Sequence, residues 1–326
     1  MRAIIPVAGI GSRLKPHTFS TPKVLLNVGG KPILGHILDK LFSEGITKAT
    51  FVIGHLGEMI QDYVNSNYPS FKSDFVEQEE MKGLGHAIYM AATTFDEKEI
   101  FIILGDTIFD VNLKNVFKNR VSSLGVKEVD DPRRFGVAVT DGNGVIKKLV
   151  EKPQTPVSNL ALVGLYYFSN ADTLKASLNK LVDKDIRTKG ELQLTDAIQL
   201  MIEEGEILTT FPVEGWYDCG KPETLLSTNK YLLGKNGSYK DYKNVVIVPP
   251  VYIAKDAEIE NSVIGPYTTI SSGCKVTNSV IKDSILGNNA IVDKSLLDNS
   301  IIGNNSIVKG SYKRLNSGDS SEIEFY

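Results

Sequence analysis

A six-residue step in the last quarter of the chain restricts its fold more than any other feature. The triplet Ser-aliphatic-aliphatic begins at Ser262, Ser279, Ser284, Ser295, Ser300 and Ser306, at separations of 17, 5, 11, 5 and 6 residues, all close to multiples of six. Ile253, Ile259, Ile264, Ile270 and Val276 keep the same step, with Gly, Asn, Asp and Ser between the aliphatic positions. Short strands that each send one aliphatic inward and then turn a corner stack into a parallel β-helix. An irregular β-sandwich is the alternative, but its strands are longer and its turn signals fall about every 8–12 residues. The step therefore predicts a β-helix over 245–312, after a linker at Gly234-Lys235-Asn236-Gly237-Ser238, and leaves 313–326 as a polar tail without pattern.

Residues 1–235 have a different texture. Ala3-Ile4-Ile5-Pro6-Val7-Ala8, Thr50-Phe51-Val52-Ile53 and Ile100-Phe101-Ile102-Ile103-Leu104 read as buried strands. Helical spacing separates them: Ile33, Ile37, Leu38, Leu41 and Phe42 share one face, with Gly45 at a C-cap position. This alternation predicts an α/β domain with a mixed, mostly parallel sheet. Composition narrows the class further. A formal net charge of −3 gives no reason to expect a nucleic-acid or anionic-membrane surface. Cys219 and Cys274 are too few for a disulfide framework and form no zinc-type spacing. The apolar start, Met1 to Ala8, lacks the h-region and cleavage site of a signal peptide, and no run of about 18 apolar residues exists to span a membrane. The expectation is a reduced, cytoplasmic protein.

The loop after the first strand, Gly9-Ile10-Gly11-Ser12-Arg13-Leu14-Lys15-Pro16, sets two glycines where backbone amides can approach an anion and follows them with cations. It is not a dinucleotide fingerprint, because Leu14 stands where the third glycine belongs, and it is not a P-loop. Taken alone, a structural turn explains it equally well. Its context is longer: Gly9-x-Gly11-Ser12-Arg13-Leu14-x-Pro16-x-Thr18-x-x-x-Pro22-Lys23 closely resembles the signature of sugar-1-phosphate nucleotidyltransferases, with serine at position 12 where threonine is usual. Further segments resemble that family through residue 235. They are Gln78 with Gly83-Leu84-Gly85-His86-Ala87, Leu104-Gly105-Asp106, Phe135-Gly136-Val137, Val150-Glu151-Lys152-Pro153, Ser158 to Gly164, Gly190 to Ile198, and Trp216-Tyr217-Asp218 with Gly220. Within the family the chain most resembles glucose-1-phosphate thymidylyltransferases of the long type, which carry a C-terminal β-helix.

The resemblance implies a Rossmann-like nucleotidyltransferase domain over 1–235 followed by a left-handed β-helix. It implies catalytic cations Arg13 and Lys23, nucleotide contacts from Gly9, Gly11, Ser12, Gln78 and Gly83, sugar-phosphate contacts from Gly136, Glu151, Lys152 and Trp216, and Mg²⁺ held by Asp106 and Asp218. The partners are then a nucleoside triphosphate and a sugar 1-phosphate, two polyanions whose approach needs positive charge. Each residue alone also reads as a solvated loop cation, a turn carboxylate or a surface lysine; their joint fall on family positions separates the readings. The Gln78 amide can both donate and accept, matching an O/N–H base edge, and this favours dTTP or UTP with glucose 1-phosphate. Thr107, where asparagine commonly follows that aspartate in thymidylyltransferases, keeps a mannose-1-phosphate guanylyltransferase as the alternative. A non-catalytic nucleotide-sugar-binding subunit would be expected to have lost some of these charges. All four histidines (17, 36, 55 and 86) precede residue 90, so the β-helix has none to act as base of an acyltransferase. Its open end instead predicts a homo-oligomer.

Overall fold

The structure, a computed structural model, describes residues 1–310; the polar tail expected over 313–326 lies outside the described residues. Two compact units emerge, Met1–Leu26 with Lys31–Thr228, and Asn27–Gly30 with Asn229 onward. The division falls inside one helix, Pro222–Asn236.

The first unit is built on a nine-stranded mixed sheet. Its parallel part runs in the order β4 (Ile100–Ile103), β1 (Arg2–Pro6), β2 (Lys48–Ile53), β3 (Lys72–Glu77). Continuous aliphatic runs form β1 and β4 because both faces are covered, and residues 3–5 and 100–103 are wholly buried. Three helices, Leu84–Ala91, Ala171–Asp183 and Leu194–Glu203, share one core with Ile4, Val52, Ile100 and Ile102. The helix over Ile33–Ser43 buries Ile33, Ile37, Leu38 and Leu41, and ends on Gly45 at φ +80°, as its apolar spacing and that glycine require. Beyond β4 the sheet turns antiparallel: β9 (Leu160–Phe168) pairs with β4 and β6 (Ser123–Glu128), while β8 (Ile146–Glu151) pairs with β7 (Gly136–Thr140). A separate ribbon of β5 (Thr107–Asp110) and β11 (Gly215–Asp218) stands apart from this sheet. β10 (Thr209–Pro212) completes the large sheet beside β6. At the amino end of β1, buried Arg2 is held by Asp74, Asp96 and Thr50. The opposite, carboxyl ends of four parallel strands open together, the position where ligands bind in open α/β sheets.

The second unit is a left-handed parallel β-helix with three four-stranded faces. Val246, Val263, Val280 and Leu296 stack on the first face, Ile270, Leu286 and Ile302 on the second, Ile259, Val276, Val292 and Val308 on the third. One coil takes 17 residues at Ser262 to Ser279 and 16 at Ser279 to Ser295, not 18. The corners explain the shortfall. A left-handed residue turns each, at Asn261, Asn278 and Lys294, at Tyr267, Asp283 and Asn299, and at Gly273, Asn289 and Asn305, with Gly265 a second positive-φ residue at the Tyr267 corner. Asn, Asp and Gly tolerate that region, which is why they punctuate the repeat. The serines form ladders: Ser279 N–H donates to Ser262 Oγ, and Ser295 N–H to Ser279 Oγ, each at 3.1 Å. Buried Asn229 ties the short segment 27–30 into this unit. Its Oδ1 accepts from Gly29 N–H (2.8 Å) and Thr269 Oγ1 (2.6 Å), and its Nδ2 donates to Tyr267 O.

Candidate active site

The carboxyl ends of β1, β3 and β4 enclose a cavity of about 340 Å³, lined among others by Gly9, Lys23, Gln78, Gly83, Gly105 and Asp106. A tight loop follows β1. Gly11 turns it at φ +68°, and a Cβ there would meet Lys23 Cβ at 3.0 Å and Thr18 Cγ2 at 3.1 Å, so glycine is what lets Lys23 pass over the loop. Ser12 and Arg13 then start a single 3₁₀ turn anchored by fully buried Leu14. Gly9 is different, for nothing lies within 4 Å of a Cβ built there, and the bare backbone borders open cavity.

Asp106 and Asp218 lie 112 positions apart in sequence, yet the β5–β11 ribbon brings them together. Asp218 pairs with Thr107 in that ribbon, and Cys219 N–H donates to Asp106 O at 3.1 Å. Lys23 forms an ion pair with Asp106. A Cβ on Gly220 would sit 2.8 Å from Arg13 Nη2 and 2.9 Å from Asp218 Oδ1, so Arg13 reaches the same spot over a glycine. Two cations and two carboxylates thus converge. Burial, then the Asp106 charge, raise the Asp218 carboxyl above its ordinary range, against the pull of Lys23, Arg13 and the Gly220 N–H. Adjacent Cys219 is fully buried, and desolvation pushes its thiol up to about 12, which leaves it inert as a nucleophile.

A second group forms where β7 and β8 pair. Glu151 lies opposite Gly136, and a Cβ on that glycine would come within 2.9 Å of Glu151 Oε2. Thr195 Oγ1 donates to the same oxygen at 2.7 Å, while Lys152 Nζ lies 3.3 Å from Oε1. Lys152 itself stands at φ +44° and accepts at its carbonyl from Lys189 Nζ (2.8 Å). Trp216 links the two groups: it shares a face of β11 with Asp218, and its ring lies edge-on to Phe135 with centroids 4.9 Å apart. Thr195 was not among the residues singled out from the sequence as site residues, although it lies in the family-like run 190–198. Glu191, which lines the cavity, was not either.

Gln78 and Gly83 meet at the base of the cavity. Gly83, at φ +114°, has no room for a side chain, since a Cβ would lie 2.6 Å from Leu192 O. The Gln78 Nε2 donates to Gly83 O at 3.3 Å and lies 3.1 Å from His86 Nδ1. Its amide N–H₂ is therefore engaged within the protein.

Residues 2–235 match the family model described as nucleotidyl transferase. The chain belongs to the sugar-1-phosphate nucleotidyltransferases. A low-salt glycan biosynthesis nucleotidyltransferase, Agl11, of Haloferax volcanii is 32% identical over 99% of this chain and 100% of its own length. A UTP–glucose-1-phosphate uridylyltransferase, AglF, of the same organism is 35% identical over 68% of this chain and 93% of its own length. Among solved structures, a putative glucose-1-phosphate thymidylyltransferase from Bacillus anthracis, in complex with sucrose, superposes with a TM-score of 0.62 at 27% identity, covering 74% of this chain and 98% of that one. Among the described residues no helix is long and apolar enough to cross a membrane.

Proposed function

We propose that the chain transfers a nucleotidyl group from a pyrimidine nucleoside triphosphate, dTTP or UTP, to glucose 1-phosphate. The convergence of Arg13, Lys23, Asp106 and Asp218 beside the cavity carries this reading. A phosphate oxygen of the sugar phosphate attacks the α-phosphorus in line. The new P–O bond forms as the α–β bridging bond breaks, and its electron pair leaves on pyrophosphate. That oxygen is already ionised at neutral pH, so no general base is required. Arg13, a planar fork, meets the departing pyrophosphate; Lys23 meets the α-phosphate; Lys152, beside Glu151, meets the sugar phosphate. Backbone at Gly9, Gly11 and Ser12 lies against the triphosphate. Gly136, Glu151 and Trp216 wall the sugar-phosphate side.

The donor set suits Mg²⁺. Two carboxylates meet at one spot, and among the described residues no group of three or more His, Cys, Asp or Glu gathers to make an all-protein cage. Mg²⁺ takes one or two carboxylates and fills its remaining positions with water and substrate phosphates. Bound by Asp106 and Asp218, it would neutralise phosphate charge and orient the α-phosphate. The last rung of the β-helix, whose outer edge has no strand beside it among the described residues, stacks on a second copy of the chain. Both cysteines are free and buried, in keeping with a reducing cytoplasm.

Pyrophosphate release measured with four nucleoside triphosphates against glucose 1-phosphate and mannose 1-phosphate tests the assignment. A kcat/KM highest for dTTP or UTP with glucose 1-phosphate is the expected result. GTP with mannose 1-phosphate in first place overturns it in favour of a guanylyltransferase. Nucleotide-sugar binding without turnover on any pair points to a regulatory subunit.

A further inference from the structure

We propose that His86 is a positioning residue for base recognition: as a neutral imidazole it holds the Gln78 amide in the one orientation that offers its oxygen to the bound base. The inference rests on the reading that Gln78 and Gly83 face the base, and it fixes what that pair can recognise.

The argument starts from Gly83 O, which accepts hydrogen bonds and never donates. The Gln78 atom 3.3 Å from it must be the N–H₂, because an amide oxygen there would face a second acceptor. That nitrogen carries two hydrogens, and the second points to His86 Nδ1 at 3.1 Å. His86 Nδ1 must then hold a lone pair, which puts the imidazole proton on Nε2. Both donors of the amide are used inside the protein, and Gln78 is buried, 4% exposed. Only Oε1 is left to face the cavity, so Gln78 presents an acceptor and selects a base that offers N–H. Remove the His86 lone pair and one tether remains, the bond to Gly83 O; the amide is then held less firmly and its choice between donor and acceptor is weakened.

Protonation of His86 has the same effect, since both ring nitrogens then donate and Nδ1–H opposes the Gln78 N–H₂. The surroundings keep the ring neutral near pH 7. Partial burial lowers its affinity for a proton, Lys82 lowers it further, Glu80 opposes, and Arg187 adds to the lowering. Lys82 pairs with Glu80 at 2.6 Å, and Tyr89 stacks on the ring at 6.3 Å.

The test uses the full chain with UTP, dTTP and CTP against glucose 1-phosphate. His86→Leu should raise KM for UTP and dTTP about tenfold, the loss expected for one hydrogen bond that orients a buried amide, with a much smaller change in kcat. It should also narrow the preference over CTP. His86→Asn, whose Oδ1 stands near the place of Nδ1, should restore the KM. In the wild type the triphosphate KM should climb as pH falls beneath the ordinary imidazole range, because the His86 surroundings lower its affinity for a proton; the substrate phosphates also gain protons in acid, so in His86→Asn the climb should be smaller than in the wild type. An unchanged KM in His86→Leu, or an acid climb as steep in His86→Asn as in the wild type, overturns the proposal, and the pH comparison stands even if the leucine variant does not fold. Gln78→Ala separates the two levels. If it leaves the triphosphate KM unchanged, the base-site reading falls and this inference with it; if it raises KM while His86→Leu does not, only this inference falls.

Discussion

In the β-helix, Ser279 uses every bonding group it has on its neighbours. Its N–H donates to Ser262 Oγ, its hydroxyl donates to Thr277 O, and the same oxygen accepts from Ser295 N–H. Thr277 and Asp293 bond each other across a rung in the same way (2.7 Å). At the carboxyl edge of the sheet the arrangement is the reverse. Asp106 and Asp218 sit together although they repel, and burial raises Asp218 further. Polar groups in one region complete the backbone; in the other they are held in costly juxtaposition by strands whose own pairing supplies the stability. On the proposed function chemistry falls to the second kind: Asp106 and Asp218 are met there chiefly by the side-chain charges of Lys23 and Arg13, which a phosphate can draw away.

The largest test of this contrast is at the carboxylates. Asp106→Asn and Asp218→Asn should each cut kcat by at least about 100-fold, the scale seen when one group that stabilises developing charge is removed. The thermal midpoint of Asp218→Asn should not fall, since a half-buried like-charge contact disappears. Near-wild-type turnover in both variants would remove them from the chemistry, and a large drop in midpoint would show that their placement serves the fold.

The opposite pattern is expected at Leu286, fully buried in the β-helix core. Leu286→Ala should cost about 2–5 kcal/mol by lost contacts and a residual cavity. A separate unfolding transition in denaturant, moved to lower concentration while the KM for triphosphate stays fixed, is the expected record. Coupled loss of KM would show that the two regions do not divide the work. A gentler probe is Ser279→Ala, which leaves Ser295 N–H without its ladder acceptor. It should destabilise by about 1 kcal/mol in the same experiment, again without kinetic effect.

The same contrast explains what was readable from the sequence. Strand ends and the glycine loop are local: aliphatic runs mark β1 and β4, and Gly11 needs only φ +68° and a close lysine. The repeat was also legible, and its coil of 16 or 17 residues stood in the serine separations, but a step of six reads these as near-multiples of six, and only the left-handed corners of the structure show where each coil falls short of 18. Long-range pairings were the least visible. Asp106 meets Asp218 through the Thr107–Asp218 register of a two-stranded ribbon, and Thr195 reaches Glu151 from a helix 44 residues on. Neither pairing has a local signal; only resemblance grouped those segments. Segment 27–30 joins the β-helix unit through buried Asn229 and through Asn27, whose Nδ2 donates to Ser271 Oγ at 2.9 Å, partners that no pattern announces.

The smallest expected effect is also the sharpest check, because it uses charges of the catalytic domain that are spent on structure. Arg2, at the amino end of β1, forks onto Asp96 at 2.8 and 3.0 Å, and those hydrogen bonds, followed by the charge, hold the Asp96 carboxyl down to about 2. A carboxyl whose folded pKa lies below its unfolded value stabilises the fold above the unfolded pKa, near 4, and that contribution is lost as pH falls through about 2. Asp96 is half-exposed, with 49% of its side chain open to solvent, so screening keeps the contribution below about 1 kcal/mol. Denaturant midpoints measured from pH 6 to pH 2 for wild type and Asp96→Asn should differ above pH 4 and converge toward pH 2. Turnover at pH 7 should be equal in the two proteins. A gap that widens on acidification would reverse the sign and detach Asp96 from Arg2. A fall in turnover would mean that ion pairs at the amino end of the sheet reach the site at its carboxyl end, and the division drawn between structural and chemical polar groups would fail within a single domain.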